Sequence, residues 1–331
     1  MSDPLRQAPS DPLRQAPSDP LRYTANIDLR NVNDSHAFAV AAVPAGSAVL
    51  DVGAADGSVA RMLGQMGCRV WGVEYDPAAA KIAGQWCEDV VVGDIEQLDL
   101  EDALGRRFDV ILFLDILEHL KDPLSVLRGA LELLTERGHV VISLPNVAHA
   151  AMRAQLLGGH FSYTATGLLD ATHLRFFDPT SVHQFLRDAG LVVLDEDRVT
   201  LPIDGTEIAV AVDELSPQVA AQLSEDPESD SYQFLFVAAP EGSVAATQPT
   251  LLPARVLQRE LRNARAHIET LESQLGVRAG LTRHEMNQRL AHLLRSNSNR
   301  RNALRSLVEM MNANIKVLDD IAQNRDTAPT D

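Results

Sequence analysis

At 331 residues with 45% hydrophobic side chains, the chain is long enough for one large α/β domain with a sizeable core and an appendage. Its formal net charge of −17 argues against a broad nucleic-acid surface, because phosphate binding rests on Lys and Arg. Only Cys68 and Cys87 occur, and no run of about 18 apolar residues or signal-peptide pattern is evident; the expectation is a cytoplasmic protein with no disulfide framework and no membrane span.

Residues 2–22 repeat Ser-Asp-Pro-Leu-Arg-Gln-Ala-Pro, with proline in every copy and little to bury. This tract is expected to be disordered. From Tyr23 the composition turns globular, and Asn31–Val43 predicts a helix that Pro44 and Gly46 end. Next comes Ser47-Ala48-Val49-Leu50-Asp51-Val52-Gly53-Ala54-Ala55-Asp56-Gly57-Ser58, an apolar run that ends in an acid and breaks into small residues. The pattern predicts a buried strand and a glycine loop, followed by a helix carrying Val59, Met62, Leu63 and Met66. Gly53 and Gly57 permit positive φ and close backbone approach, and the helix start offers unpaired N–H groups. No Lys-Ser/Thr pair follows, as a P-loop would need, and no third glycine opens the helix, as a dinucleotide fingerprint would. An acid before the first glycine would repel a pyrophosphate but favour a cationic sulfonium or ammonium group.

Arg69–Glu74 predicts a second strand, ending in a carboxylate about twenty residues past the glycines, where it can accept both ribose hydroxyls of a nucleoside. Asp76-Pro77 starts a helix. Val90–Val92 predicts a third strand leading to Gly93-Asp94-Ile95. Phe108–Leu114 is a near-continuous apolar run, as a strand buried on both faces should be, and it delivers Asp115-Ile116-Leu117-Glu118-His119-Leu120. Asp122-Pro123 opens an amphipathic helix expected to stop at Gly138, before a strand at His139–Leu144. Alternation of this regularity predicts a doubly wound, mostly parallel seven-stranded sheet.

Between Val147 and Asp178 the periods blur. The stretch Gly167–Phe177 carries more polar and aromatic groups than packing requires, the pattern of a loop that holds function on a rigid frame. A helix is expected at Ser181–Asp188, strands at Leu191–Leu194 and Tyr232–Val237, and a small lid at 201–229. The α/β domain thus spans 23–240, with a linker at 241–253. Over 254–325, Leu257, Leu261, Ala264, Ile268, Leu271 and Leu275 step by four and three, as in a coiled coil, so association with other copies, a homo-oligomer, or with a partner is expected, the alternative being a helical hairpin folded back on the α/β domain. From Leu251 onward there are 13 basic and 9 acidic residues, against 16 and 37 before it.

The glycine stretch, together with the strands after it, resembles the first motif of class I S-adenosylmethionine-dependent methyltransferases, with Ala55 where many members carry glycine. The resemblance implies that Asp51, Gly53, Ala55, Gly57, Glu74, Asp94, Ile95 and Asp115 surround the cofactor, Asp94 meeting the adenine amino group and Ile95 packing on the ring. A sulfonium methyl is already activated, so the remaining task is to align an acceptor and take its proton. His119 and His173, with Glu118 beside them, are the candidates.

Asp115, Glu118, His119 and His173 together supply two carboxylates and two imidazoles, enough for a divalent ion such as Mg²⁺, Mn²⁺ or Zn²⁺. They resemble the Glu-x-x-Glu-His arrangement, with a later histidine, of small-RNA 2′-O-methyltransferases, and a similar Glu-His pair occurs in quinone-biosynthesis O-methyltransferases. Asp34-Ser35-His36, the run 117–123, Ser143–Asn146 and the run 168–177 are similar to bacterial methyltransferases that accompany glycosyltransferases. That resemblance implies an O-methyltransferase for a saccharide or polysaccharide precursor. The alternatives are a small quinol or phenolic acceptor, RNA 2′-O-methylation, or a cofactor-binding scaffold without turnover.

Overall fold

The computed structural model describes residues 27–29, 31, 33–210 and 215–247. The octapeptide repeat, the end of the linker and the heptad-bearing segment lie outside the described residues.

Seven strands form one sheet: β1 Ala48–Val52, β2 Arg69–Glu74, β3 Asp89–Val92, β4 Phe108–Leu114, β5 Leu134–Pro145, β6 Leu191–Thr200 and β7 Ser231–Pro240. Their order is β3-β2-β1-β4-β5-β7-β6. The first five pair in parallel, and β7 runs antiparallel to both β5 and β6. Because successive side chains point to opposite faces, a strand buried on both sides must be apolar throughout. Leu50, Ile111, Phe113, Val140, Ile142, Phe234 and Phe236 accordingly share one apolar layer. Their sequence neighbours Val49, Val110, Leu112, Val141, Leu235 and Val237 share the other.

Helices cover both layers. α1 (Ser35–Ala42) and α2 (Ser58–Gly64) pack on the second; α3 (Pro77–Ala83) leans on β2 and β3. On the first lie α4 (Leu100–Leu104), α5 (Pro123–Leu131) and, after α6 (Ala150–Leu157), α7 (Pro179–Asp188). α8 (Pro217–Glu225) and the single turn α9 (Val244–Thr247) complete the described helices.

Four boundaries differ from expectation by four residues or more, each for a local reason. α1 begins at Ser35 rather than Asn31 because the Asp34 carboxylate accepts the Ala37 N–H at 2.8 Å and so caps the helix there. α5 ends seven residues before Gly138, and β5 begins at Leu134. Pairing to β4 then jumps from Leu134 opposite Phe108 to His139 opposite Val110, so Thr135–Gly138 bulge out of the ladder. A Cβ at Gly138 would lie 3.1 Å from the Phe108 carbonyl oxygen, so this glycine permits close strand approach instead of stopping a helix. β6 runs six residues beyond Leu194 because its register with β7 continues to Thr200.

Candidate active site

The carboxyl ends of β1, β2 and β3 lie side by side, the position at which open α/β sheets bind ligands. Asp51 sits on β1, buried, and burial followed by the nearby Glu74 charge pushes its carboxyl up to about 7. Gly53 and Gly57 both take φ +78, and Ala55 takes φ +47. A Cβ at Gly53 would sit inside the Ile116 side chain, and one at Gly57 would lie 2.9 Å from the Ala83 Cα. Gly57 is therefore required sterically as well as conformationally, because its neighbour is backbone, whereas at Gly53 the Ile116 side chain could shift and the positive φ sets the requirement.

Glu74 holds the loop in place. Its Oε2 accepts the Ala55 N–H and its Oε1 the Asp76 N–H, each at 2.8 Å. The Gly93 N–H donates to the Glu74 carbonyl at 2.9 Å, which brings Asp94 alongside. Asp94 accepts from the Glu96 N–H at 3.1 Å and the Gln97 amide at 3.0 Å, and Ile95 packs half-buried against the core. Asp51, Gly53, Ala55, Gly57, Glu74, Asp94 and Ile95 are thus assembled at one edge.

The turn after β4 adjoins this edge through Ile116. Asp115 has φ +54, a left-handed conformation that costs a non-glycine residue energy. Ser143 Oγ donates to its Oδ1 at 2.8 Å, and the Gln233 amide reaches both oxygens at 2.9 and 3.0 Å. A 3₁₀ turn at Leu117–His119 follows. Leu174 and Arg175 donate their N–H groups to the Glu118 carbonyl at 2.8 and 2.9 Å, which folds the loop bearing His173 against the turn.

As a result Glu118, His119 and His173 converge, one donor atom from each lying within 4.8 Å of the others. His173 Nε2 is 3.9 Å from Glu118 Oε1, and the two imidazoles meet edge to face at 4.7 Å. Their tautomers are dictated by their neighbours. His119 Nδ1 faces the Thr172 carbonyl at 3.3 Å and His173 Nδ1 faces the Leu168 carbonyl at 3.2 Å. A carbonyl only accepts, so each Nδ1 carries the proton and each Nε2 keeps its lone pair. Burial, then the His173 ring, pulls His119 down to about 4; burial also lowers His173. Burial, then Asp115, raises Glu118 well above the usual carboxylate range.

The trio fits a divalent cation. Glu118 is 1% exposed and its Oε2 has no hydrogen-bond partner, a buried acceptor with capacity for one. Both imidazoles donate Nδ1–H to a carbonyl, the usual support of a ligating histidine. Donors about 2.1 Å from one ion are roughly 3–4 Å apart, so a contraction of about an ångström completes the set. Asp115, expected as a fourth ligand, stands outside the trio because Ser143 and Gln233 hold its carboxylate. Ser143, Asp170, Thr172 and Gln233 were not expected as individual site residues. Ser143, Asp170 and Thr172 fall inside the runs Ser143–Asn146 and 168–177 that carry the sequence resemblance, but nothing in the sequence assigned them roles, and Gln233 had no signal.

Among the described residues, no helix is long and apolar enough to cross a membrane. Residues 23–196, more than half of the chain, match a family described as a methyltransferase domain. A ubiquinone biosynthesis O-methyltransferase of Xanthomonas axonopodis is 30% identical over 158 residues, which cover 46% of this chain and 65% of that protein. One from Pseudomonas paraeruginosa is 32% identical over 157 residues, 46% of this chain and 67% of that one. The chain spans about two thirds of the length of these relatives. Among solved structures, magnesium protoporphyrin IX methyltransferase of Synechocystis aligns over 64% of this chain and 83% of its own at 17% identity, with a TM-score of 0.44. With the glycine loop, the three carboxylates and the sheet order in place, the chain belongs to the class I S-adenosylmethionine-dependent methyltransferases.

Proposed function

We propose that the protein transfers the methyl group of S-adenosylmethionine to a hydroxyl of a small quinol or phenolic acceptor. The observation that carries this reading is the convergence of Glu118, His119 and His173 beside the glycine loop, since methyl transfer needs little beyond alignment and a proton acceptor. Such convergence counts against a scaffold without turnover. Two observations favour the small acceptor over the saccharide expected from sequence. The similar proteins are ubiquinone biosynthesis O-methyltransferases. The segments after β5 also fold over an apolar cluster of Met152, Leu168, Leu169 and Ile208, with half-exposed Leu174 and Phe176 beside His173. Shallow polar walls would suit a sugar better.

In this reading Glu74 accepts the ribose hydroxyls, Asp94 and Ile95 hold the adenine, and Asp51 faces the cationic end of the cofactor. The acceptor oxygen attacks the methyl carbon in line; the C–S bond breaks with its electron pair staying on sulfur, giving S-adenosylhomocysteine, and an O–CH₃ bond forms. The acceptor proton passes to the Nε2 lone pair of His119 or His173. A divalent cation bound by Glu118, His119 and His173 would occupy those Nε2 lone pairs and replace the imidazole base, lowering the pKa of the hydroxyl and gripping a vicinal diol while the proton leaves to solvent.

The test is transfer from labelled S-adenosylmethionine to a panel of catechols and quinols, oligosaccharides and RNA ends. Label is expected in the catechol or quinol. Label in oligosaccharide alone overturns the acceptor, and no cofactor binding by calorimetry overturns the whole reading. A companion arm strips the protein with chelator and restores Mg²⁺, Mn²⁺ or Zn²⁺; activity is expected to fall and return, and unchanged activity removes the cation.

A further inference from the structure

His119 is one link of a longer chain. The Thr172 hydroxyl lies 3.0 Å from His119 Nδ1 and 2.6 Å from Asp170 Oδ1. Its single proton must go to the carboxylate, which only accepts, so the hydroxyl oxygen turns its lone pairs to His119 Nδ1–H. Asp170 is 2% exposed, and its Oδ1 also accepts the Thr172 N–H at 2.8 Å. The Thr172 carbonyl supplies a second, longer acceptor at 3.3 Å.

We infer that Asp170 and Thr172 are positioning residues that hold His119 in the Nδ1–H tautomer and aim its Nε2 lone pair at the reacting centre. Asp170 orients the hydroxyl, the hydroxyl orients the ring, and no proton leaves the chain during the reaction. The assignment rests on the proposed reading only in giving His119 a task; the tautomer itself is a property of the resting protein. Geometry makes the hydroxyl the decisive partner. It is the shorter of the two acceptors on Nδ1, and a hydroxyl locked by a carboxylate accepts better than a free one because its dipole is pre-aligned. The spacing Asp170-x-Thr172 is the local requirement, since the carboxylate must close on both the N–H and the O–H two residues ahead.

The experiment compares full-length wild type with Thr172→Val, Thr172→Ser and Asp170→Asn, using ¹⁵N-histidine ring correlations assigned by loss of the signal in His119→Gln. Wild type is expected to show a pure Nδ1–H pattern at His119. Thr172→Val should mix in the Nε2–H form and lower kcat about tenfold, the lower end of what loss of such a partner costs, with little change in KM. Thr172→Ser should restore both, and Asp170→Asn should move both the same way by less. Unchanged ring shifts and kcat in folded Thr172→Val overturn the inference, and so does an Nε2–H pattern in wild type. If Thr172→Val does not fold, Asp170→Asn decides by the same two readouts, and unchanged ring shifts and kcat there overturn the inference. If no acceptor is methylated, the ring spectra still decide the tautomer, so the two failures stay distinct.

Discussion

Replacing Asp51 with asparagine should make the empty protein more stable at neutral pH while crippling cofactor binding. Burial holds the Asp51 carboxyl at about 7 against an ordinary 3.8. Folded protein therefore binds more protons than unfolded protein between those two values. The stability present below about pH 4 is lost as pH rises to about 7, and it stays lost above. At about 1.36 kcal/mol per pH unit, the full interval of roughly 3 units amounts to about 4 kcal/mol, an upper figure because water entry and relaxation reduce it. For a domain of this size about 2–4 °C accompanies each kcal/mol, so the melting temperature should fall by up to ~15 °C from pH 4 to 8 through this group alone. Asparagine keeps the shape and removes the ionisation. Thermal melts of both proteins across pH 4–8 should diverge steadily, the variant gaining on wild type until about pH 7 and running parallel beyond. Adding S-adenosylmethionine should reverse the ranking, because a cation beside Asp51 favours its ionised form and only wild type can supply it. Curves that stay parallel throughout, or equal affinity of the two proteins for the cofactor at pH 8, would refute the reasoning.

Gly53→Ala should cost about 1–3 kcal/mol through its left-handed backbone and abolish cofactor heat in calorimetry. Adding Ile116→Ala relieves the collision, so any loss that remains in the double variant measures the backbone strain. Glu118→Gln should lower kcat about 100-fold yet leave the melting temperature of the empty protein unchanged or higher, because it removes a buried carboxyl with an oxygen that has no partner; Mn²⁺ titration followed by electron paramagnetic resonance should show weakened binding. Tyr232→Phe deletes the hydroxyl that donates to Glu207 at 2.8 Å, and a loss of about 1 kcal/mol should appear as a lower urea midpoint at constant slope.

The parallel half of the sheet was legible because a strand buried on both faces must be continuously apolar, and Val110–Leu114 has no other comfortable place. The carboxylates at the carboxyl ends of β1, β2 and β3 were legible for a related reason, as charges at or just past the end of short apolar runs. The start of β5 was not. Leu134-Thr135-Glu136-Arg137 continues a helical pattern, and only the pairing with Phe108 turns it into strand. α6 escaped notice because its cap is a histidine, whose Nδ1 accepts the Ala151 N–H at 3.1 Å, a use of imidazole that leaves no signature in composition. The grip on Asp115 was invisible locally as well, since Gln233 lies 118 residues away and reaches it only through the β5–β7 pairing. Glu207 behaves likewise, its Oε1 accepting the Leu168 N–H at 2.6 Å across 39 residues. Asp170 and Thr172 were in view as part of a polar stretch, but their order depends on His119, half a domain earlier in the chain.

The placement of β7 between β5 and β6 has a consequence for how the chain acquires its shape during synthesis. When the first five strands have left the ribosome, the outer margin of β5 has no partner, and β6 emerges next without a neighbour to join. Only the arrival of Ser231–Pro240 seals both margins at once. Until then the nascent chain presents the open margin of β5 to other chains, and that single insertion moves the exposed edge from the buried middle of the sheet to β6 at its border.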